Sequence, residues 1–109
     1  MNKIEANETG SHRHEAELKV KVVNENNGKH AEFKADRGAL VETVIEQMYA
    51  SSELGIGRGR SPEDRLRCKG QGKEDGADIF KFSELPLEEL REKHCRSLDW
   101  RFAGPTGGA

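Results

Sequence analysis

The chain has 109 residues, of which 33% are hydrophobic and 35% charged, with 18 lysines and arginines against 20 aspartates and glutamates. That length holds one small domain and excludes an enzyme built from separate cofactor and substrate lobes. A net charge of -2 argues against a protein whose main task is coating nucleic acid or an anionic membrane, so neither is expected as a partner. No apolar run approaches the ~18 residues of a membrane span, and the charged first residues lack the apolar stretch of a signal peptide. Cys68 and Cys95 form no Cys-x-x-Cys pair and are too few for a disulfide framework. They point to a reducing compartment and a cytoplasmic address, with no metal site.

Residues 1–15 show no sustained periodicity and are expected as a flexible arm ahead of a domain spanning residues 16–103. Leu18, Val20 and Val22 then alternate with Lys19 and Lys21, the period-two pattern of a strand with one buried face. A second such run, His30 to Ala35, turns Ala31, Phe33 and Ala35 one way, and Asn27-Gly28 between the two runs suits a hairpin turn. Leu40, Val41, Val44, Ile45 and Met48 switch to helical spacing, with Asp36 expected as the N-cap and an end near Ala50 to Ser52. Gly55, Gly57, Gly59 and Pro62 interrupt regular structure after it.

A third strand is expected over Arg65 to Lys69, with Leu66 and Cys68 inward and Arg65, Arg67 and Lys69 outward. Gly70, Gly72 and Gly76 surround a charged loop, and Ile79 to Phe82 reads as a short fourth strand. Pro86 to about Glu92 is a short helix burying Leu87 and Leu90, and Ser97 to Ala103 is a last strand with Leu98, Trp100 and Phe102 inward. Residues 104–109, Gly104-Pro105-Thr106-Gly107-Gly108-Ala109, have nothing to bury and form a mobile tail. The expected fold class is α+β, a mixed sheet of four to five strands packed on one main helix, as in a β-grasp domain.

A β-grasp pattern whose last strand runs into a tail carrying Gly107-Gly108 resembles ubiquitin and its relatives over about Glu17 to Ala109. The Leu66-Arg67-Cys68-Lys69-Gly70 and Leu98-Asp99-Trp100-Arg101-Phe102 segments fall where ubiquitin-like proteins have strands. It most resembles bacterial ubiquitin-like proteins encoded beside activating-enzyme, conjugating-enzyme and JAMM-type protease homologues. The resemblance implies a protein modifier that is not itself an enzyme. A protease of JAMM type would remove Ala109, an ATP-using activating enzyme would adenylate the Gly108 carboxylate, and a conjugating enzyme would pass the acyl group through a thioester to an amine of a target protein. No cofactor is expected to bind the chain itself. Glycines at the tail serve access, because a backbone without Cβ atoms threads a narrow channel. Two features differ from ubiquitin: Pro105 stiffens the tail, and Gly104 to Gly108 holds no arginine where the ubiquitin tail is basic. Two competing functions are a sulfur carrier bearing a C-terminal thiocarboxylate and a non-covalent interaction domain whose tail does nothing.

Other candidate residues are weaker. The Gly55-Ile56-Gly57-Arg58-Gly59-Arg60-Ser61 run follows a helix and lacks the spacing of a dinucleotide fingerprint, so it reads as a solvated connection. Cys95 beside His94 has no third orienting group and is not expected to act as a nucleophile, and Cys68 is expected in the core. His12, His14 and His30 do not make a metal set, since a floating arm cannot hold fixed geometry. Arg65, Arg67 and Arg101 face outward on neighbouring strands and form a candidate recognition face. Ubiquitin has an isoleucine where Arg67 falls, so this face suits an acidic partner.

Overall fold

Strand β1 (Glu17–Asn24) buries Leu18, Val20, Val22 and Asn24 and turns Glu17, Lys19 and Lys21 outward, as its alternation dictates. These coordinates belong to a computed structural model that describes residues 17–69 and 76–105. The expected arm at residues 1–15, Gly70 and Gly72 of the charged loop, and Thr106, Gly107, Gly108 and Ala109 of the tail lie outside the described residues. Strand β2 (His30–Asp36) returns antiparallel with Val20 opposite Phe33. The turn places Gly28 at φ 78° and directs its amide to the Asn24 carbonyl at 2.7 Å, a conformation glycine adopts without a Cβ penalty. Because β2 is an edge strand, only Ala31 on it is fully buried; Phe33, expected in the core, is half-buried.

Helix α1 (Val41–Ala50) lays Val41, Val44, Ile45 and Met48 on the sheet. Its cap differs from expectation. Asp36 ends β2, and the N-cap is Leu40, 44% exposed and making no side-chain cap. The first helical amides instead donate to main-chain carbonyls brought in from far along the chain: Val41 to Leu85 and Glu42 to Ser83, both at 2.8 Å. Such groups need some partner, and tertiary structure supplies it here. Strand β3 (Arg65–Cys68) buries Leu66 and Cys68. Ile79–Phe82, expected as a strand, is a 3-10 turn whose N-cap Asp78 accepts from the Phe80 amide at 3.1 Å. That turn lets Ile79 reach full burial, and Asp78 just before it forms an isolated bridge with Arg67 of β3. Helix α2 (Leu87–Lys93) buries Leu87 and Leu90, and strand β4 (Asp99–Ala103) buries Trp100 and Phe102. Leu98 just before β4 takes φ 49°, a left-handed conformation uncommon for a branched side chain.

The four strands form one mixed sheet in the order β2-β1-β4-β3, with β4 parallel to β1 and antiparallel to β3. This is a small α+β fold: Leu18, Val20, Val22, Leu66, Trp100 and Phe102 meet α1 and α2 on one face of the sheet. Among the described residues no helix is long and apolar enough to cross a membrane.

Cys68 and Cys95 are joined by a disulfide with Cα atoms 5.6 Å apart, tying β3 to the turn after α2. This corrects the reading of two unpaired thiols. Two elements distant in sequence converge there, which spacing alone does not reveal. The argument for a reducing, cytoplasmic address from the cysteines therefore loses its basis.

Candidate functional site

The candidate site lies where β4 ends. Its residues arrive from three directions: Asn26 from the β1–β2 turn, Tyr49 from the last turn of α1, and Arg58, Ser61 and Asp64 from the glycine-rich connection to β3. The Asp64 carboxylate is wholly buried and collects donors. Arg58 binds it in bidentate fashion, Nη2 to Oδ1 at 2.8 Å and Nη1 to Oδ2 at 3.0 Å. Tyr49 donates its hydroxyl to Oδ2 at 2.6 Å and the Ser61 amide donates to the same oxygen at 2.9 Å. Arg58 Nη1 also donates to the Gly59 carbonyl at 2.8 Å.

Burial by itself would raise the Asp64 carboxyl, but the hydrogen bonds from Arg58, Tyr49 and the Ser61 amide outweigh it and hold the group below its ordinary value. The Tyr49 hydroxyl is pushed far up, first by burial and then by its bond to the Asp64 anion. Both groups therefore stay in the states the geometry uses, carboxylate and neutral phenol, at neutral pH. The Tyr49 ring meets Phe102 edge to face at 5.8 Å, which fixes the cluster to the buried end of β4.

The loop expected as a solvated connection is thus pinned at Asp64, and also at Arg60 within it and at Leu54 just before it. Arg60 lies 4.1 Å from the centre of the Phe80 ring and 3.9 Å from the Glu42 carboxylate. Leu54 is buried, and its carbonyl accepts from Asn24 Nδ2 at 2.9 Å and Asn27 Nδ2 at 3.1 Å.

Gly104, the first residue of the expected tail, is buried in this cluster. A Cβ placed there would lie 2.5 Å from Arg58 Nη2, 3.2 Å from Asp64 Oδ1 and 3.6 Å from Phe102. Close approach is what calls for glycine at 104. The Glu25 amide donates to the Phe102 carbonyl at 2.8 Å, and Asn26 Nδ2 reaches the Gly104 carbonyl at 3.5 Å. Pro105 follows, exposed.

Sequence reasoning missed Arg58, Asp64, Tyr49 and Asn26. One sign was present. Ser61-Pro62-Glu63-Asp64 has the spacing of a capping box, and Asp64 does bind the Ser61 amide, while the Asp64 amide returns to the Ser61 carbonyl at 3.0 Å. Nothing local announces that Arg58, Tyr49 and Gly104 meet around it.

Of the arginines expected on one face, Arg67 stands directly opposite Arg101, and Arg65 opposite Ala103, so the sheet does bring them together. Arg65 and Arg67 are exposed and Arg101 is half-buried, 3.5 Å from the Asp99 carboxylate. The row continues through Val23 to His30 on β2. Like charges directly opposite on adjacent strands are destabilising. Cys95, in the disulfide, carries no free thiol for nucleophilic chemistry, and the His94 ring stacks on Phe82 with centroids 4.0 Å apart. Among the described residues no group of three or more His, Cys, Asp or Glu could hold a metal ion.

No protein-family model matches the chain, and no curated protein matches its sequence.

Proposed function

We propose that the chain is a ubiquitin-like protein modifier of β-grasp type, an acyl donor acted on by other enzymes. The observation that carries this reading is the end of β4. A central strand parallel to β1 runs into buried Gly104 and exposed Pro105, ahead of Gly107-Gly108 in the sequence. On this reading a JAMM-type protease hydrolyses the Gly108–Ala109 peptide bond. The freed carboxylate attacks the α-phosphorus of ATP in the activating enzyme and releases pyrophosphate. An enzyme thiolate then displaces AMP, and after transfer to a conjugating enzyme a target amine displaces the thiol. The acyl transfers need this activation because a free carboxylate offers thiol or amine no adequate leaving group, whereas the adenylate and the thioester do. Arg65, Arg67 and Arg101 supply a basic face for an acidic surface on one of these enzymes.

The use of ATP places the chemistry in the cytoplasm, where thiols are kept largely reduced. The domain then has to stand with Cys68 and Cys95 unpaired as well as joined.

Mass spectrometry of the protein from its native host tests the reading. Arg101 is the last basic residue, so trypsin leaves Phe102 to Gly108 attached to an acceptor lysine. That branched remnant is the expected result. A free chain ending in a thiocarboxylate at Gly108 would identify a sulfur carrier, and chains that all keep Ala109 would identify an interaction domain; either overturns the modifier reading.

A further inference from the structure

The sheet ends in two edge strands that are closed to different degrees. At β3, four residues long, the Cys68 amide donates to the Ala77 carbonyl at 3.0 Å and Arg67 bridges Asp78. At β2, seven residues long and without proline, no described segment pairs with the outer edge. The register shows which groups lie there. The Asn24 amide donates to the Lys29 carbonyl at 2.8 Å, so by the two-residue repeat Ala31, Phe33 and Ala35 direct their main-chain groups at β1. His30, Glu32, Lys34 and Asp36 direct theirs outward, and their side chains are exposed on the face of the sheet away from the core. An open edge of this kind is a template for another strand. Its charges are also poorly matched within the chain. Lys34 stands opposite Lys19 and Asp36 opposite Glu17, and neither Lys34 nor Asp36 forms an ion pair among the described residues.

We propose that β2 pairs antiparallel with β2 of a second copy of this chain, about a twofold axis at Phe33, so that two sheets become one. This interface stands apart from the modifier reading and does not rest on it. Its physical reason is self-complementary charge. Hydrogen-bonded pairs across the new edge join outward-directed residues only, which restricts the allowed registers. Centred on Phe33, Glu32 lies opposite Lys34 of the second copy and His30 opposite its Asp36, and the twofold axis repeats both pairs. Each acidic position then meets a cation or an imidazole. The neighbouring registers fail: centring on Glu32 sets it against its own counterpart and His30 against Lys34, and centring on Lys34 sets it against its counterpart and Glu32 against Asp36. On the other face Phe33, half-buried in the single chain, meets its counterpart on the axis, with Ala31 and Ala35 beside it. Such an isologous contact is closed, so association stops at a dimer.

Sedimentation of the full chain is expected to show a concentration-dependent species of twice 12.2 kDa. Two single variants, each shown folded by circular dichroism, test the pairing. Glu32→Lys places a lysine opposite Lys34 of the second copy, and Lys34→Glu places a glutamate opposite its Glu32. Each is expected to raise the dissociation constant about tenfold or more. Mixed together, the two variants are complementary at both pairs and are expected to associate as wild type does, which a general loss of fold or solubility would not allow. Hydrogen exchange locates the contact. The Glu32 and Lys34 amides are expected to gain protection as the dimer forms, while those of Phe33 and Ala35, directed at β1, stay protected in either state. A chain that remains monomeric at millimolar concentration overturns the proposal, and protected amides at Glu32 and Lys34 in that monomer would place another segment of the same chain on the edge. Single variants that dimerise as wild type, or a mixture that stays monomeric, overturn it as well. So does a dimer whose Glu32 and Lys34 amides exchange as fast as in the monomer, since its interface would lie elsewhere.

Discussion

At Asp64 three residues direct four donors at one carboxylate that has left water entirely. Its value to the fold depends on its charge. The carboxyl is held below its unfolded value of about 4, so its contribution is complete above that pH and is lost as the pH falls through the lower, folded value. Stability should therefore decline below about pH 4, and Asp64→Asn should flatten that decline while lowering stability at neutral pH by about 2 kcal/mol. Denaturant melts of both proteins between neutral and acid pH read this directly. Trp100 offers a second test. It is fully buried and pairs across the sheet with Val22 and Cys68, yet its indole Nε1 finds no hydrogen-bond partner among the described residues. Trp100→Ala should cost about 3 to 5 kcal/mol through the cavity it leaves. Trp100→Phe removes the unpartnered N–H together with less volume and should cost markedly less, which a comparison of chemical melts will show. The inward side of Trp100 was legible from its alternation with charged residues; its unpartnered nitrogen was not, since that depends on what surrounds it.

Among the elements, α2 and the turn after it depend on the bond between Cys95 and Cys68, which closes a loop spanning 27 positions. Chain-entropy arguments place the stabilisation from such a cross-link at about 3.5 kcal/mol. Reduction, or Cys95→Ala, should lower the melting temperature by about 14 to 28 °C. The domain should still fold, because Leu66, Leu87, Leu90, Trp100 and Phe102 remain to fill the core. Thermal melts with and without reductant check this, and a domain that unfolds on reduction would argue against a cytoplasmic modifier. The strands and α1 were readable because their apolar residues recur at the periods of strand and helix. Ile79–Phe82 was not. A short apolar run does not by itself distinguish strand from 3-10 turn, and Asp78 capping the Phe80 amide decides for the turn.

For the whole molecule, the functional reading divides the protein into a tail that reacts and a face that is recognised. In proteins trimmed to end at position 108, Gly108→Val should abolish thioester formation and leave the melting temperature unchanged. Charge reversal at Arg67 and Arg101 should weaken binding to the activating enzyme, about tenfold or more, with a strong dependence on salt. Equilibrium binding and charging assays separate the two effects. If the reversed protein binds as tightly as wild type, the basic face is not the docking surface. The sequence by itself determined which side of each strand and of α1 is buried, where the β1–β2 turn lies, and that a Gly-Gly tail follows the last strand. Those features follow from local backbone geometry and side-chain periodicity. Tertiary structure alone decided that Leu85 and Ser83 cap α1, that Cys68 meets Cys95, that Arg67 stands opposite Arg101, and that Arg58 and Tyr49 meet on Asp64 beside Gly104. Each joins atoms that no local pattern links, and they meet only once the sheet has set its register and the helices have packed against it.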